Sequence, residues 1–127
     1  MAEISDFLEN KLIEHFFRLQ ASTASTAYVA LYTGDPLDDN SGPEVAIAGY
    51  ARKPALIGAA SGGAASNTAE INYGAATAAW STVTHVGILD AETAGNLLMH
   101  SVLDLEKIVA EGDTFKINTG DLDIAIT

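Results

Sequence analysis

Tyr28-Val29-Ala30-Leu31-Tyr32-Thr33, closed by Gly34-Asp35-Pro36, is the stretch that decides the fold class. Aromatic and β-branched residues in a short run fit a pleated, half-buried surface, and Gly-Asp-Pro is turn chemistry. Downstream the same design recurs at 50–57, 70–73, 82–90, 97–103, 114–118 and 122–126, each segment short and bounded by Gly, Asn, Asp or Ser. In the last of these Leu122, Ile124 and Ile126 alternate with Asp121, Asp123 and Ala125, giving one buried and one wet face. No segment between the strands is long enough for a helical crossover, which excludes parallel α/β architectures. The expectation is a mainly β chain, an antiparallel β-sandwich or jelly-roll-like fold, with strand order left open.

Upstream the period changes from two to that of a helix. From Ser5 to about Gln20, Leu8, Leu12, Phe16 and Leu19 recur at helical spacing, flanked by Phe7 and Ile13. Asp6, with Glu9 three residues on, reads as the N-cap. Such an amphipathic helix either packs on its own domain or meets copies of itself or a partner groove; adjacent Phe16 and Phe17 keep the second reading open. Ala-Ser-Thr-Ala-Ser-Thr-Ala at 21–27 is a small, polar exit from the helix. The chain therefore divides into an N-terminal helix and linker arm, 1–27, and a β-sandwich domain, 28–127.

Composition limits the function. Apolar residues make up 48% of 127 positions and charged ones 18%, as in one globular domain. Seventeen acidic residues against six basic ones give a net charge of −11, which leaves little with which to neutralise phosphates, so nucleic acid is not expected as a partner. The absence of cysteine removes disulfides and thiol chemistry. The Met1-Ala2-Glu3 opening, with Glu9 and Lys11 soon after, lacks the order of a signal peptide, and no apolar run is long enough to span a bilayer, so no membrane role is expected.

Catalytic signatures are missing too. His15, His85 and His100 stand far apart, none with a second histidine or carboxylate at zinc-ligand spacing, and read as packed or surface residues. There is no G-x-S-x-G elbow. Gly58-Ala-Ala-Ser-Gly-Gly-Ala-Ala-Ser66 matches neither phosphate-binding pattern and reads as a flexible connection. The acidic loop from Asp35 to Gly42 departs from the EF-hand spacing and reads as a solvated turn, with a structural cation on its oxygen ligands as the lesser alternative. The carboxylate pairs Asp90 and Glu92, Asp104 and Glu106, and Asp121 and Asp123 share a face in β-alternation and make acidic stripes. Trp80 reads as a core anchor. No catalytic residue, cofactor or metal is expected.

The order of motifs resembles a family of small tailed-bacteriophage virion proteins. The resemblance runs from the Asp6-Phe-Leu-Glu-Asn-Lys-Leu12 helix through Tyr28–Pro36, Glu44-Val45 and Gly49-Tyr50-Ala51-Arg52. It continues through Ile71-Asn-Tyr73, Ala79-Trp80-Ser-Thr-Val-Thr-His85-Val-Gly-Ile-Leu-Asp90, Gly95-Asn-Leu-Leu98 and Gly112-Asp113-Thr114. It implies a non-enzymatic virion component assembled in the host cytoplasm. One compact β-domain with an amphipathic appendage suits a capsid decoration (cement) protein bound outside the major capsid protein lattice; a tail fibre or baseplate component is the alternative. Copies of itself, as trimer or dimer, and the major capsid protein are the expected partners, met through the face of Phe7, Leu8, Leu12 and Phe16 or through the small-residue loops. Arg52 and Lys53 are expected to pair with acids of a partner subunit or within the chain.

Overall fold

The structure, a computed structural model, describes residues 3–126; the Met1-Ala2 start and Thr127 lie outside it. The elements run β1 (Glu3–Ile4), α1 (Asp6–Phe17), β2 (Ala27–Tyr32), β3 (Lys53–Ala55), β4 (Ala64–Ser66), β5 (Ile71–Ala75), β6 (Ser81–Leu89), β7 (Leu97–Val109), β8 (Thr114–Ile117) and β9 (Asp123–Ala125). The chain is mainly β with antiparallel pairing throughout. A five-stranded sheet has the order β1-β7-β6-β2-β3, and β4-β9 and β5-β8 form two-stranded ribbons. This pairing differs from the two four-stranded sheets of a jelly roll.

The alternating pattern of β2 shows how the layers form. Val29 and Leu31 face a core shared with Ala55, Ile71, Tyr73, Trp80, Val83, Ile88 and Phe115, so the ribbons cover one face of the sheet. Ala30 and Tyr32 point to the other face, where they are buried with Leu89 and Leu97. There the loop after β2 folds back: Pro36 is buried, and the Tyr32 hydroxyl donates to Asn40 Oδ1 at 2.8 Å. A side chain at Gly87 would place its Cβ 2.8 Å from the Tyr32 ring and 3.0 Å from Leu97, so this layer closes only over glycine.

Trp80 is the largest fully buried side chain, as the sequence leads one to expect, and meets Tyr50 and Tyr73 edge-on at centroid separations of 5.4 and 6.1 Å. Phe115 packs edge-on against Tyr73 at 5.8 Å, and the Tyr73 hydroxyl donates to the Val29 carbonyl at 2.6 Å. Each ring thus joins a ribbon or loop to the main sheet, burying large area with directional contacts.

Three local differences from the sequence reading have physical causes. The Gly-Ala-Ser stretch contains β4, whose small residues have low strand propensity and are held by backbone pairing to β9; Gly62 and Gly63, at φ 62° and 79°, make the turn that delivers it. β7 runs on past Leu103 to Val109, with Leu103–Glu106 opposite the single residue Thr84, a broad bulge in a segment that alternates leucine and acid. Finally, β1 pairs with Met99 and His100 of β7, so the N-terminal arm is stitched into the sheet before the helix begins.

Candidate functional site

The helix is built from its anchored end outward. Ser5 N–H donates to the Leu98 carbonyl at 2.9 Å, the Ser5 hydroxyl donates to the Leu97 carbonyl, and its oxygen accepts from Leu8 N–H at 3.2 Å. Ser5, and not Asp6, is therefore the N-cap; Asp6 and Glu9 lie in the first turn, where their charges suit the helix dipole. Asp6 N–H reaches the Asp38 carbonyl at 3.3 Å, tying the helix to the loop after β2. The helix stops where Leu19 adopts a left-handed φ of 60° and Gln20 N–H bonds back to the Glu14 carbonyl at 2.9 Å.

No helix residue is buried. Phe7, Leu8 and Leu12 are half-buried at the anchored end, while Ile13, Phe16, Phe17 and Leu19 are 53, 67, 81 and 90% exposed. On the polar side Arg18 Nη1 donates to both Glu14 carboxylate oxygens, at 2.8 and 2.7 Å, and Lys11 Nζ stands 5.7 Å over the Phe7 ring. Of the two readings of the helix, packing on its own domain accounts for the first turns alone. Each large apolar side chain left in water at the far end forgoes roughly 1.5–3 kcal/mol of burial. Val102, Leu105 and Ile108 of β7 are exposed as well, beyond the two residues that β1 covers.

Arg52 belongs to an internal network. Its Nε and Nη2 contact the two Glu44 carboxylate oxygens at 2.9 and 2.8 Å, and Nη1 donates to the Ala91 and Ala94 carbonyls at 3.0 and 2.7 Å. Glu44 Oε2 also accepts from the Tyr50 hydroxyl at 2.8 Å, which itself accepts from Leu31 N–H at 2.9 Å. Hydrogen bonding to Glu44 raises the Arg52 pKa, while burial pushes up the Tyr50 hydroxyl and moves Tyr32 to about 12. The guanidinium thus takes the intramolecular option; Lys53, half-buried, stands opposite Val29 in β3.

A third grouping was not foreseen from sequence. His100, 4% exposed, has Asp38 Oδ1 2.8 Å from Nε2, and Glu3 Oε2 and Asp35 Oδ1 at 3.5 and 3.7 Å from Nδ1. His15 and His85 stand elsewhere, against the Gln20 carbonyl and the Thr84 hydroxyl. The exposed acids of the loop brace it locally: Asp35 accepts from Leu37 N–H and Asp39 from Ser41 N–H, and hydrogen bonding to the Ser41 side chain, with its backbone N–H second, holds the Asp39 carboxyl below its usual value. No local signal could have found the cluster, since β1, the loop and β7 meet only in the fold.

Residues 3–125, nearly the whole described chain, match the family described as Podophage GP4 fiber I protein gp80. The chain belongs to this family. It is a structural component of a tailed-phage virion. No curated protein matches it. The match concerns a fibre protein, so the capsid-decoration reading finds no support in it and the fibre reading does.

Proposed function

We propose that this chain is a non-enzymatic subunit of a virion fibre that assembles with copies of itself through the far end of its N-terminal helix. The family match over residues 3–125 carries this reading. Size supports self-assembly: a folded chain of 127 residues has a radius of gyration of roughly 14 Å, too short to make a fibre singly. The exposed Ile13, Phe16, Phe17 and Leu19 are the apolar anchors that such an interface needs, and a chain of net charge −11 can approach its copies only where charge is sparse. The non-enzymatic part rests on the missing catalytic motifs.

Copy number per particle tests the fibre reading. Quantitative mass spectrometry of purified virions, referenced to the major capsid protein, is expected to give a small fixed number of copies. A ratio near one per capsid subunit would replace it with capsid decoration.

Self-association has its own test. Phe16→Gln with Phe17→Gln, which adds no charge against the helix dipole, is expected to leave the far-ultraviolet circular dichroism and melting temperature of the monomer unchanged, because neither side chain is buried, and to convert an oligomer to monomer in sedimentation velocity. An oligomer that survives both substitutions would move the interface elsewhere.

A further inference from the structure

We propose that the tip of the helix, Phe17, Arg18 and Leu19, docks into a groove between β7 and residues 121–124 of the next copy, a head-to-tail contact that repeats along the fibre. The inference rests on the self-assembling fibre reading above and names the surface that the helix end meets. Residues of β6 and β7 line one side of the groove and residues 121–124, at the start of β9, the other, enclosing about 320 Å³. Val86, Leu103 and Ile124 pack on the main core but stay half-buried, and they supply its apolar lining. That volume is at the lower end of the roughly 300–1,000 Å³ of ligand pockets, so the groove suits one or two large side chains and not a whole helix. Asp104, Asp121 and Asp123 stand exposed along it, and the ion pairs of the described residues bring no cation to any of them.

The helix tip has the complementary character. The helix ends at the left-handed Leu19, and Phe17 and Leu19 are the most exposed large apolar side chains of the described residues. Arg18 stands between them in sequence, held only by its exposed pair with Glu14, a weak interaction that carboxylates in a partly desolvated groove can replace. An aromatic anchor seated in a pocket beside an arginine is the chemistry of interface hot spots. The chain's own helix does not fill the groove, since no helix residue lines it. Symmetry then separates the possible contacts between copies. Two tips that met would form an isologous contact, closed at a dimer. A tip in a groove leaves a free groove on one copy and a free tip on the other, so addition continues. In a chain of net charge −11 this contact also brings an arginine, and not further acids, to the acidic rim.

The chain has no cysteine, so single introduced cysteines report the contact through a short bismaleimide cross-linker. Gln20→Cys beside the tip and Asp123→Cys on the rim are both exposed positions, and full-length chains carrying one each are mixed at the concentrations where sedimentation velocity shows assembly. Expected is a mixed cross-link about 10-fold more abundant than with Glu92→Cys, an exposed position in the turn between β6 and β7, in place of Asp123→Cys. Adding Phe17→Gln to the Gln20→Cys chain should reduce the mixed cross-link to the level of that control. A mixed cross-link no stronger than the control, with Gln20 positions joined to each other, would overturn the groove and leave self-assembly through the helix standing. A mixed cross-link that survives Phe17→Gln would also overturn it. A chain that stays monomeric at every concentration would overturn the proposal together with the self-assembly on which it rests.

Discussion

Replacing Arg52 with alanine is expected to lower the unfolding free energy by about 3 kcal/mol, near the lower end of the range for breaking one side of a buried ion pair. The Arg52 side chain is 9% exposed and Glu44 24%, so the remaining carboxylate regains some water, which places the effect at that lower end. Four donor contacts disappear together: two to Glu44 and one each to the Ala91 and Ala94 carbonyls. The loss reaches the core, because Glu44 also holds the Tyr50 hydroxyl that accepts from Leu31 N–H in the middle of β2. For a domain of this length the thermal midpoint should fall by roughly 10 °C. Arg52→Lys separates charge from geometry. A lysine keeps the positive charge but cannot span both carboxylate oxygens and two carbonyls, so it should recover less than half of the loss. Urea unfolding of the three proteins decides the matter; a change within about 0.5 kcal/mol for Arg52→Ala would show that the network adds little to stability.

The network explains why part of the architecture was legible in sequence. Glu44-Val45 and Gly49-Tyr50-Ala51-Arg52 stand among the motifs that resemble phage virion proteins, and in the fold they close on each other through eight residues of chain. Likewise β2 and β6 follow from their aromatic and β-branched residues, and the burial of Trp80 from its large aromatic side chain. What stayed hidden has one physical character: it depends on partners remote in sequence. The small residues of β4 become a strand only because β9 offers its backbone. Ser5 displaces Asp6 as the helix cap because β7 presents the Leu97 and Leu98 carbonyls to it, a contact across more than ninety residues. His100 finds its carboxylates in β1 and the loop after β2, which no spacing rule connects. The helix face was legible as apolar, but whether it would be covered was not, since periodicity records a face and not its occupant.

Asn67 is the residue whose loss should most disturb the ribbons. It is 2% exposed and every hydrogen-bonding position of its amide is used: Nδ2 donates to the Ala69 and Asn118 carbonyls at 2.9 and 3.1 Å, and Oδ1 accepts from Gly120 and Leu122 N–H at 3.0 and 2.9 Å. One side chain thereby holds the end of β4 against the turn that leads into β9. Asn67→Ala should cost about 3–4 kcal/mol, most of it from the Leu122 N–H left without a partner inside the fold, since water can reach the more exposed groups. Asn67→Asp is the sharper probe, being nearly isosteric. Its carboxylate keeps an acceptor for Gly120 and Leu122 but turns a second acceptor toward the Ala69 and Asn118 carbonyls, so at neutral pH it should be no better than alanine. Burial and those carbonyls disfavour the charged form and raise the folded-state pKa of the new aspartate above its unfolded value of about 3.9. The protonated form is thus the stable one in the fold, and the deficit relative to the natural chain at the same pH should shrink as pH falls towards 4. Paired urea titrations of Asn67→Asp and the natural chain at pH 7 and pH 4.5 measure this directly; a deficit that grows on acidification would mean that the second carboxylate oxygen does not face the Ala69 and Asn118 carbonyls and the amide is not held as described.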